Sequence, residues 1–366
     1  MTATATAFLT IDVAAIVANW RRIQAEVGPR VEAAGVVKAD CYGLGAARIV
    51  PALAAAGCRT FFVATIDEGI AARGLVPDAT IFVLGGPLAG TMTEFTAHGL
   101  TPVLNSPGQI ARWADHARAL DRILPAALHL DTGMSRLGLE DAQVQRVAER
   151  GLPGIAPVVV MSHMACADEP GHDKNPDQLA RFRTLSARLG LPARLSLGAS
   201  STVFLGPDYH FDLVRPGAAL YGLNPVPGMP NPMAAVARLE ARVLQVRDVD
   251  TPMTVGYGAT HRFSGKGRVA VAALGYADGL FRSASNRAFG VIEGERVPVV
   301  GRVSMDLTIF DVSALPDGMV NEGTLIEMFG PHQSVDDLAE QAGTIGYEIL
   351  TALGARYRRS YVGGAA

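Results

Sequence analysis

Residues Val31–Thr65 read VEAAGVVKADCYGLGAARIVPALAAAGCRTFFVAT: an apolar run, a glycine-bearing turn, an alanine-rich stretch and a second apolar run. The two runs have the length and the β-branched or aromatic content of buried strands. Between them, AARIVPALAAAG has the composition of a helix packed against a sheet. Strand, helix, strand is the repeating unit of a parallel sheet. The alternation continues through TIFVLG (80–85), LTPVL (100–104), PAALHLD (125–131), IAPVVVMSH (155–163), RLSLGA (194–199) and LVRPGAALYG (213–222). Helical stretches such as SPGQIARWADHARAL lie between most of these runs. Eight strands with intervening helices in roughly 200 residues predict an N-terminal (β/α)8 TIM-like barrel rather than an open doubly wound sheet.

The pattern changes at NPVPGMPNPM (224–233), where four prolines in ten residues mark a linker. Beyond it, ARLEARVLQVRDV (237–249), GRVAVAALG (267–275), RVPVVGRVSMDLTIFDV (296–312) and GTLIEMFG (323–330) alternate with period two and are rich in valine. A mainly β C-terminal domain is expected there. One helical patch interrupts it, SVDDLAEQAGTIGYEILTAL (334–353), opened by Ser334 and Asp337 at capping-box spacing. The expected domains are therefore a barrel over 1–232 and a β domain over 233–366, an α/β chain as a whole.

Charge narrows the function. The net charge is −3 and no basic stripe is present, which argues against nucleic acid or an acidic membrane surface as partner. The three cysteines, Cys41, Cys58 and Cys166, are odd in number and widely spaced, so neither a disulfide framework nor a metal site is indicated. MTATATAFLTID lacks the basic and apolar segments of a signal peptide, and no apolar run reaches the roughly 18 residues of a membrane span. A cytoplasmic location is expected.

In barrels of this type, chemistry gathers at the carboxyl ends of the strands. Lys38 closes the first strand, Arg136 follows the fifth in LHLDTGMSRLGL, His163 ends the sixth, Ser201 follows the seventh, and Arg215 and Gly217 lie in the eighth run. Singly, each has a plainer reading: a lysine reaching water, a solvated arginine, a core histidine. Their shared placement is what points to a site. A desolvated lysine has a lowered pKa and a free amine able to form a Schiff base. Small residues and backbone N–H groups at Ser201, Gly217 and Ala218 suit a phosphate. Together these suggest pyridoxal phosphate, which stabilises a carbanion at an amino acid α-carbon.

These motifs resemble those of bacterial alanine racemase. VVKADCYGLG is similar to the family's cofactor-lysine motif, and LDTGMSRLG, VRPGAALYG, GYGATHRF, GYADGLFR and GRVSMD resemble its later signatures, in order along nearly the whole chain. The resemblance implies that Lys38 binds the cofactor and serves as one proton-transfer base. It implies that Tyr257 is the opposite base and works at the cofactor of the other subunit of a homodimer. Tyr42, Ser201, Gly217, Ala218 and Tyr357 would hold the phosphate, while Arg136 and the Met305 backbone would hold the substrate carboxylate. His163 would connect Arg215 to the network around the cofactor. Asp168, Tyr276, Arg282 and Arg302 would line the entrance corridor, with a polar interface rim as the plainer alternative.

Two bases suit racemisation, because a proton leaves one face of a planar carbanion and another arrives on the opposite face. An ordinary tyrosine hydroxyl titrates near about 10, so a tyrosine base at neutral pH needs positive charge beside it. Arg215, implied to face the pyridine nitrogen, can only donate hydrogen bonds; that weakens the electron sink and favours proton exchange over decarboxylation or transamination. Its plainer reading is an ion pair with Asp212. Many family members carry a carbamylated lysine at the position of His129, and a histidine cannot form that stable carbamate, so something else must brace Arg136. Ser200 stands where an asparagine is familiar, a change the backbone cradle should survive. A racemase of wider scope, accepting serine, is the runner-up, since one methylene discriminates by only about 1 to 3 kcal/mol. A non-catalytic pyridoxal phosphate carrier would have little use for Tyr257 or the second domain.

Overall fold

A computed structural model describes residues 4–364. The chain divides into two compact units, one spanning Ile16–Ala234 and the other combining the segment through Ala15 with the chain from Ala235 onward.

The first unit is the barrel. Seven parallel strands run in chain order through Gly35–Val36, Thr60–Val63, Thr80–Val83, Thr101–Leu104, Leu124–His129, Ile155–Met161 and Arg194–Ser196. The eighth, Leu213–Val214, pairs in parallel with Glu32–Ala33. Closure is completed by the N–H of Ala34 to the carbonyl of Val214 (2.9 Å), Val36 to Pro216 (3.0 Å) and Arg215 to Gly198 (2.8 Å). The apolar runs are continuous rather than alternating because both faces are covered, by helices outside and by packed side chains within. Phe61, Phe62, Phe82, Leu104 and Leu128 are fully buried, and the Phe62 and Phe82 rings stack at 4.8 Å. Helix starts are capped from the loops: Thr65 and Glu68 form a reciprocal capping box before Ile66–Leu75, and Ser106 caps Pro107–Ala119.

The second unit carries an eight-stranded sheet. Ala237–Val249, its longest strand, pairs antiparallel with Gly267–Ala272 and with Leu325–Phe329. Here the structure corrects the expected boundary at the N-terminus. Residues Ala7–Asp12 form a strand lying between Ala237–Val249 and Arg358–Val362, so this segment belongs to the β unit and not to a barrel domain starting at residue 1. Its alternating burial explains why: Ala7, Leu9 and Ile11 face the core of that sheet. Two expected elements divide. The run 296–312 becomes Glu295–Pro298 and Thr308–Asp311 with a loop between, and the helical patch becomes Val335–Ala342 and Gly346–Thr351, interrupted by Gly343 at φ 72°. The Ser334 cap is present, its Oγ accepting from the Asp337 N–H. Among the described residues, no helix is long and apolar enough to cross a membrane.

Leu9 is fully buried in the sheet, and Leu9→Ala should therefore cost about 2 to 5 kcal/mol of stability. Urea unfolding followed by far-UV circular dichroism measures this, and an unchanged midpoint would contradict the placement of the N-terminal strand.

Candidate active site

Lys38 is the second residue after the opening barrel strand, and the chain around it is strained. Ala39, Asp40, Cys41 and Tyr42 all have positive φ, between 52° and 56°, forming a turn of left-handed helix without a single glycine. Each such residue costs about 1 to 2 kcal/mol, so the turn exists only where its surroundings hold it. Those surroundings are specific. Glu68 accepts from the N–H groups of Ala39 (2.7 Å) and Ala64 (2.7 Å), tying the loops after the first two strands together. Asp40 Oδ1 accepts from Ala46, and Gly43 N–H closes the turn onto the Ala39 carbonyl (2.7 Å). Cys41 is fully buried, and burial pushes its thiol well above the ordinary range, so it is packing rather than a nucleophile. Tyr42 is buried with its ring 4.6 Å from that of Tyr221.

Arg215 reaches in from the eighth strand and is 4% exposed. Its Nη1 donates to the Ser196 carbonyl (2.9 Å) and to Ser196 Oγ, and its Nη2 to the carbonyls of Ser162 (2.5 Å) and Leu197 (3.5 Å). Nε has no partner among the described residues. Asp212, the alternative partner, instead accepts from the Leu195 N–H (2.7 Å). Burial lowers the Arg215 pKa to about 9, still charged at neutral pH.

The titratable groups near it are shifted by burial first and by charge second. Lys38 is pushed below the ordinary lysine value by burial and by the Arg136 charge, with Glu68 opposing. Burial, then Arg215 and Arg136, depress His129 to about 4 and His163 to about 3, leaving both imidazoles neutral near pH 7. His129 Nδ1 lies 2.8 Å from Asn105 Oδ1. Lys38, Arg136, His129, His163 and Arg215 thus share one electrostatic neighbourhood at the strand ends. Arg136 is exposed, on a loop held by Asp131 accepting from Gly133 (2.8 Å) and Ser135 (3.1 Å), and no described carboxylate pairs with it.

The phosphate-cradle residues are also brought together. Gly217 and Ala218 are buried where the eighth strand enters a 3-10 turn, and a Cβ on Gly217 would overlap the Tyr42 hydroxyl, so only glycine fits. Ser200 was not anticipated in a structural role. Its Oγ accepts from the N–H groups of Gly217 (3.0 Å) and Ala219 (3.2 Å), fixing the turn beside Ser201 where the familiar asparagine is absent. Gln178 was missed as well: it donates to Thr132 Oγ1 and the His163 carbonyl, joining the loops after the fifth and sixth strands.

The remaining predicted residues divide by unit. Asp168 is exposed on the loop after the sixth strand. Tyr257, Tyr276, Arg282, Arg302, Met305 and Tyr357 lie in the β unit. Tyr257 is 71% exposed on a hairpin loop, and the Arg302 guanidinium sits against Gly258 beside it. Tyr276 and Met305 occupy adjoining loops, since Tyr276 N–H donates to Ser304 and Ala277 N–H to Met305, each at 3.0 Å. Arg282 is exposed, and Ser285 bridges its carbonyl to the Val303 N–H. Tyr357 is 5% exposed, and its hydroxyl has no hydrogen-bond partner among the described residues.

Both halves of this arrangement match one family. The alanine racemase N-terminal domain covers residues 11–225 and the C-terminal domain residues 236–361. The chain belongs to the alanine racemase family. It is 53% identical over 363 residues to alanine racemase of Rhodospirillum rubrum, covering 98% of this chain and 96% of the relative. A catabolic alanine racemase of Mesorhizobium japonicum is 50% identical over 367 residues, covering 99% and 95% of the two chains. Among solved structures, alanine racemase of Bartonella henselae with covalently bound pyridoxal phosphate superposes with a TM-score of 0.94 at 40% identity, covering 98% of this chain and all of that one. Membership makes the chain an isomerase, and the wider-scope alternative is not favoured.

Because both histidines are held neutral, acid should destabilise the fold through them. Their folded pKa values lie below the unfolded value of about 6.5, so the unfolded chain binds more protons as pH falls, and stability is lost from there toward about 4 for His129 and about 3 for His163. The slope is at most about 1.4 kcal/mol per pH unit per histidine. Urea unfolding between pH 6.5 and 4.5 should lose stability more steeply in the wild type than in His129→Gln; parallel curves would contradict a buried neutral His129.

Proposed function

We propose that the chain interconverts L- and D-alanine with pyridoxal phosphate, using Lys38 on one face of the substrate and Tyr257 of a second subunit on the other. The observation that carries this reading is Arg215, a buried cation whose two Nη atoms are spent on protein acceptors while Nε is left over. A donor-only group with one unused N–H suits an acceptor nitrogen that must stay unprotonated.

The residues present fit the cofactor. Lys38, Tyr42, Ser201, Gly217, Ala218, Arg215 and His163 would hold it from the barrel; the family resemblance also implies Tyr357 for the phosphate, and its hydroxyl is closed off from solvent here. When bound, pyridoxal phosphate supplies an electron sink that makes the substrate α-proton removable. Burial and the Arg136 charge favour a neutral amine on Lys38, the form in which Nζ accepts a proton. Arg136 would orient the substrate by its carboxylate together with the Met305 N–H. Tyr257 Oη would deliver or remove the proton on the opposite face, from the hairpin loop whose Gly258 packs against the Arg302 guanidinium.

A base that is 71% exposed in its own subunit is poorly excluded from water, which supports a homodimer in which a second copy covers it. Asp168, Tyr276, Arg282 and Arg302 would then line the approach for a small amino acid. His129 has no primary amine, so no carbamate forms there, and intact-mass measurement should show none. A cytoplasmic setting suits three free cysteines.

Two-base catalysis predicts an asymmetric failure. Tyr257→Phe should lower racemisation by about 10²- to 10⁴-fold while α-proton exchange of one enantiomer with solvent deuterium continues through Lys38. Equal residual exchange of both enantiomers, or unchanged racemisation, would remove Tyr257 from the role of second base.

A further inference from the structure

Within the barrel unit, a chain of buried polar side chains runs from a helix to the Arg215 guanidinium. Gln178, Thr132, Ser162, Ser196 and Arg215 are all buried. Gln178 stands in the helix Lys174–Leu189, where its Oε1 accepts from the Ala165 N–H (2.8 Å) and its Nε2 donates to the His163 carbonyl (3.0 Å) and to Thr132 Oγ1 (3.0 Å). Thr132 Oγ1 lies 2.7 Å from Ser162 Oγ, and Ser162 Oγ donates to the Leu130 carbonyl (2.7 Å). The Ser162 carbonyl in turn accepts from Arg215 Nη2 (2.5 Å). We infer that Gln178 is a positioning residue for Arg215: through Thr132 and Ser162 it fixes the acceptors that hold the guanidinium, and so the direction in which Nε donates.

Each proton along this chain has one place to go. A backbone N–H can only donate and a carbonyl can only accept, so the contacts with Ala165 and His163 decide which end of the Gln178 amide is oxygen. Both amide protons are then committed, one to the His163 carbonyl and one to Thr132 Oγ1. A hydroxyl carries a single proton. Ser162 spends its own on the Leu130 carbonyl, so Thr132 donates to Ser162 while accepting from Gln178. A buried network satisfied in this way has one arrangement and is rigid. Arg215 needs that rigidity, because its acceptors are carbonyls and one hydroxyl, with no carboxylate whose charge would draw it to one place. The Ser162 N–H donates to the Ser196 carbonyl (3.1 Å), and Ser196 Oγ donates to the Leu213 carbonyl (2.5 Å). The acceptors of Nη1 and Nη2 are thus tied to one another, and Ser162 Oγ carries the tie out to Gln178.

This inference rests on Arg215 meeting the ring nitrogen of the cofactor, and the test separates the two. Wild type, Gln178→Met, Thr132→Val, their double variant, Thr132→Ser and Arg215→Lys are loaded with pyridoxal phosphate. The pH dependence of the cofactor's visible absorbance is recorded for each, with kcat and KM for L-alanine alongside. Gln178→Met keeps the length and loses the amide; Thr132→Val keeps the shape and loses the hydroxyl. Each should lower kcat about tenfold with KM within about twofold of wild type, and should shift the absorbance titration in the direction that Arg215→Lys shifts it. The double variant should fall no more than about twofold below either single change, because both cut the same chain, and Thr132→Ser should behave as wild type. Urea unfolding of the same proteins distinguishes positioning from support of the fold alone. A lowered midpoint with a wild-type absorbance titration and kcat would overturn the positioning role, as would losses that multiply in the double variant. If Arg215→Lys itself matches wild type in both absorbance and kcat, the ring-nitrogen reading of Arg215 falls, and the inference with it.

Discussion

A guanidinium closed inside a barrel is the constraint on which the site depends. Arg215 cannot shed its proton at neutral pH, so the strand ends around it must supply oxygen acceptors, and Ser162, Ser196 and Leu197 do. The imidazoles of His129 and His163 stay neutral first because they are buried and then because the Arg215 and Arg136 charges make a further cation nearby costly. All of its hydrogen bonds are made by Nη1 and Nη2, which leaves Nε as a directed donor at the strand ends. Lys38 is lowered separately, by its own burial and by the Arg136 charge, which favours its free amine.

A second constraint is geometric. The left-handed turn at Ala39–Tyr42 is unfavourable by itself and is held by Glu68, by the Asp40 carboxylate and by the burial of Cys41 and Tyr42. It turns the chain sharply after the lysine and brings Tyr42 against Gly217, where no side chain fits. Ser200 then takes two of the N–H groups in that same turn, so the cradle is rigid without an asparagine. Strain near Lys38 and order near Gly217 are parts of one packed unit.

Much of this was legible because its signals are local. Eight apolar runs and a proline-rich linker mark the barrel, and the strand ends point to Lys38, Arg136, His163, Ser201 and Arg215 from the sequence alone. The parts that were not legible depend on long-range pairing. AFLTID carries an alternating pattern of only six residues, and its partners lie more than 200 residues away, so the expectation counted it with the barrel over 1–232 rather than as a strand of the sheet. Gly343 inside a helical pattern and Gly301 inside an apolar run are single residues whose breaking effect is decided by tertiary packing. Nothing in the sequence marks Glu68 as the acceptor for Ala39.

The central claim is that this constellation exchanges the α-proton of alanine on both faces. Its most direct test is to incubate the purified wild-type protein with pyridoxal phosphate and L-alanine in deuterated water, with L-serine and L-lysine in parallel, following α-deuterium incorporation and enantiomer ratio. The account predicts that L-alanine approaches equal amounts of both enantiomers, each carrying α-deuterium, with serine and lysine far behind. Deuterium uptake with retention of the L configuration, or no exchange while the cofactor is bound, would contradict it.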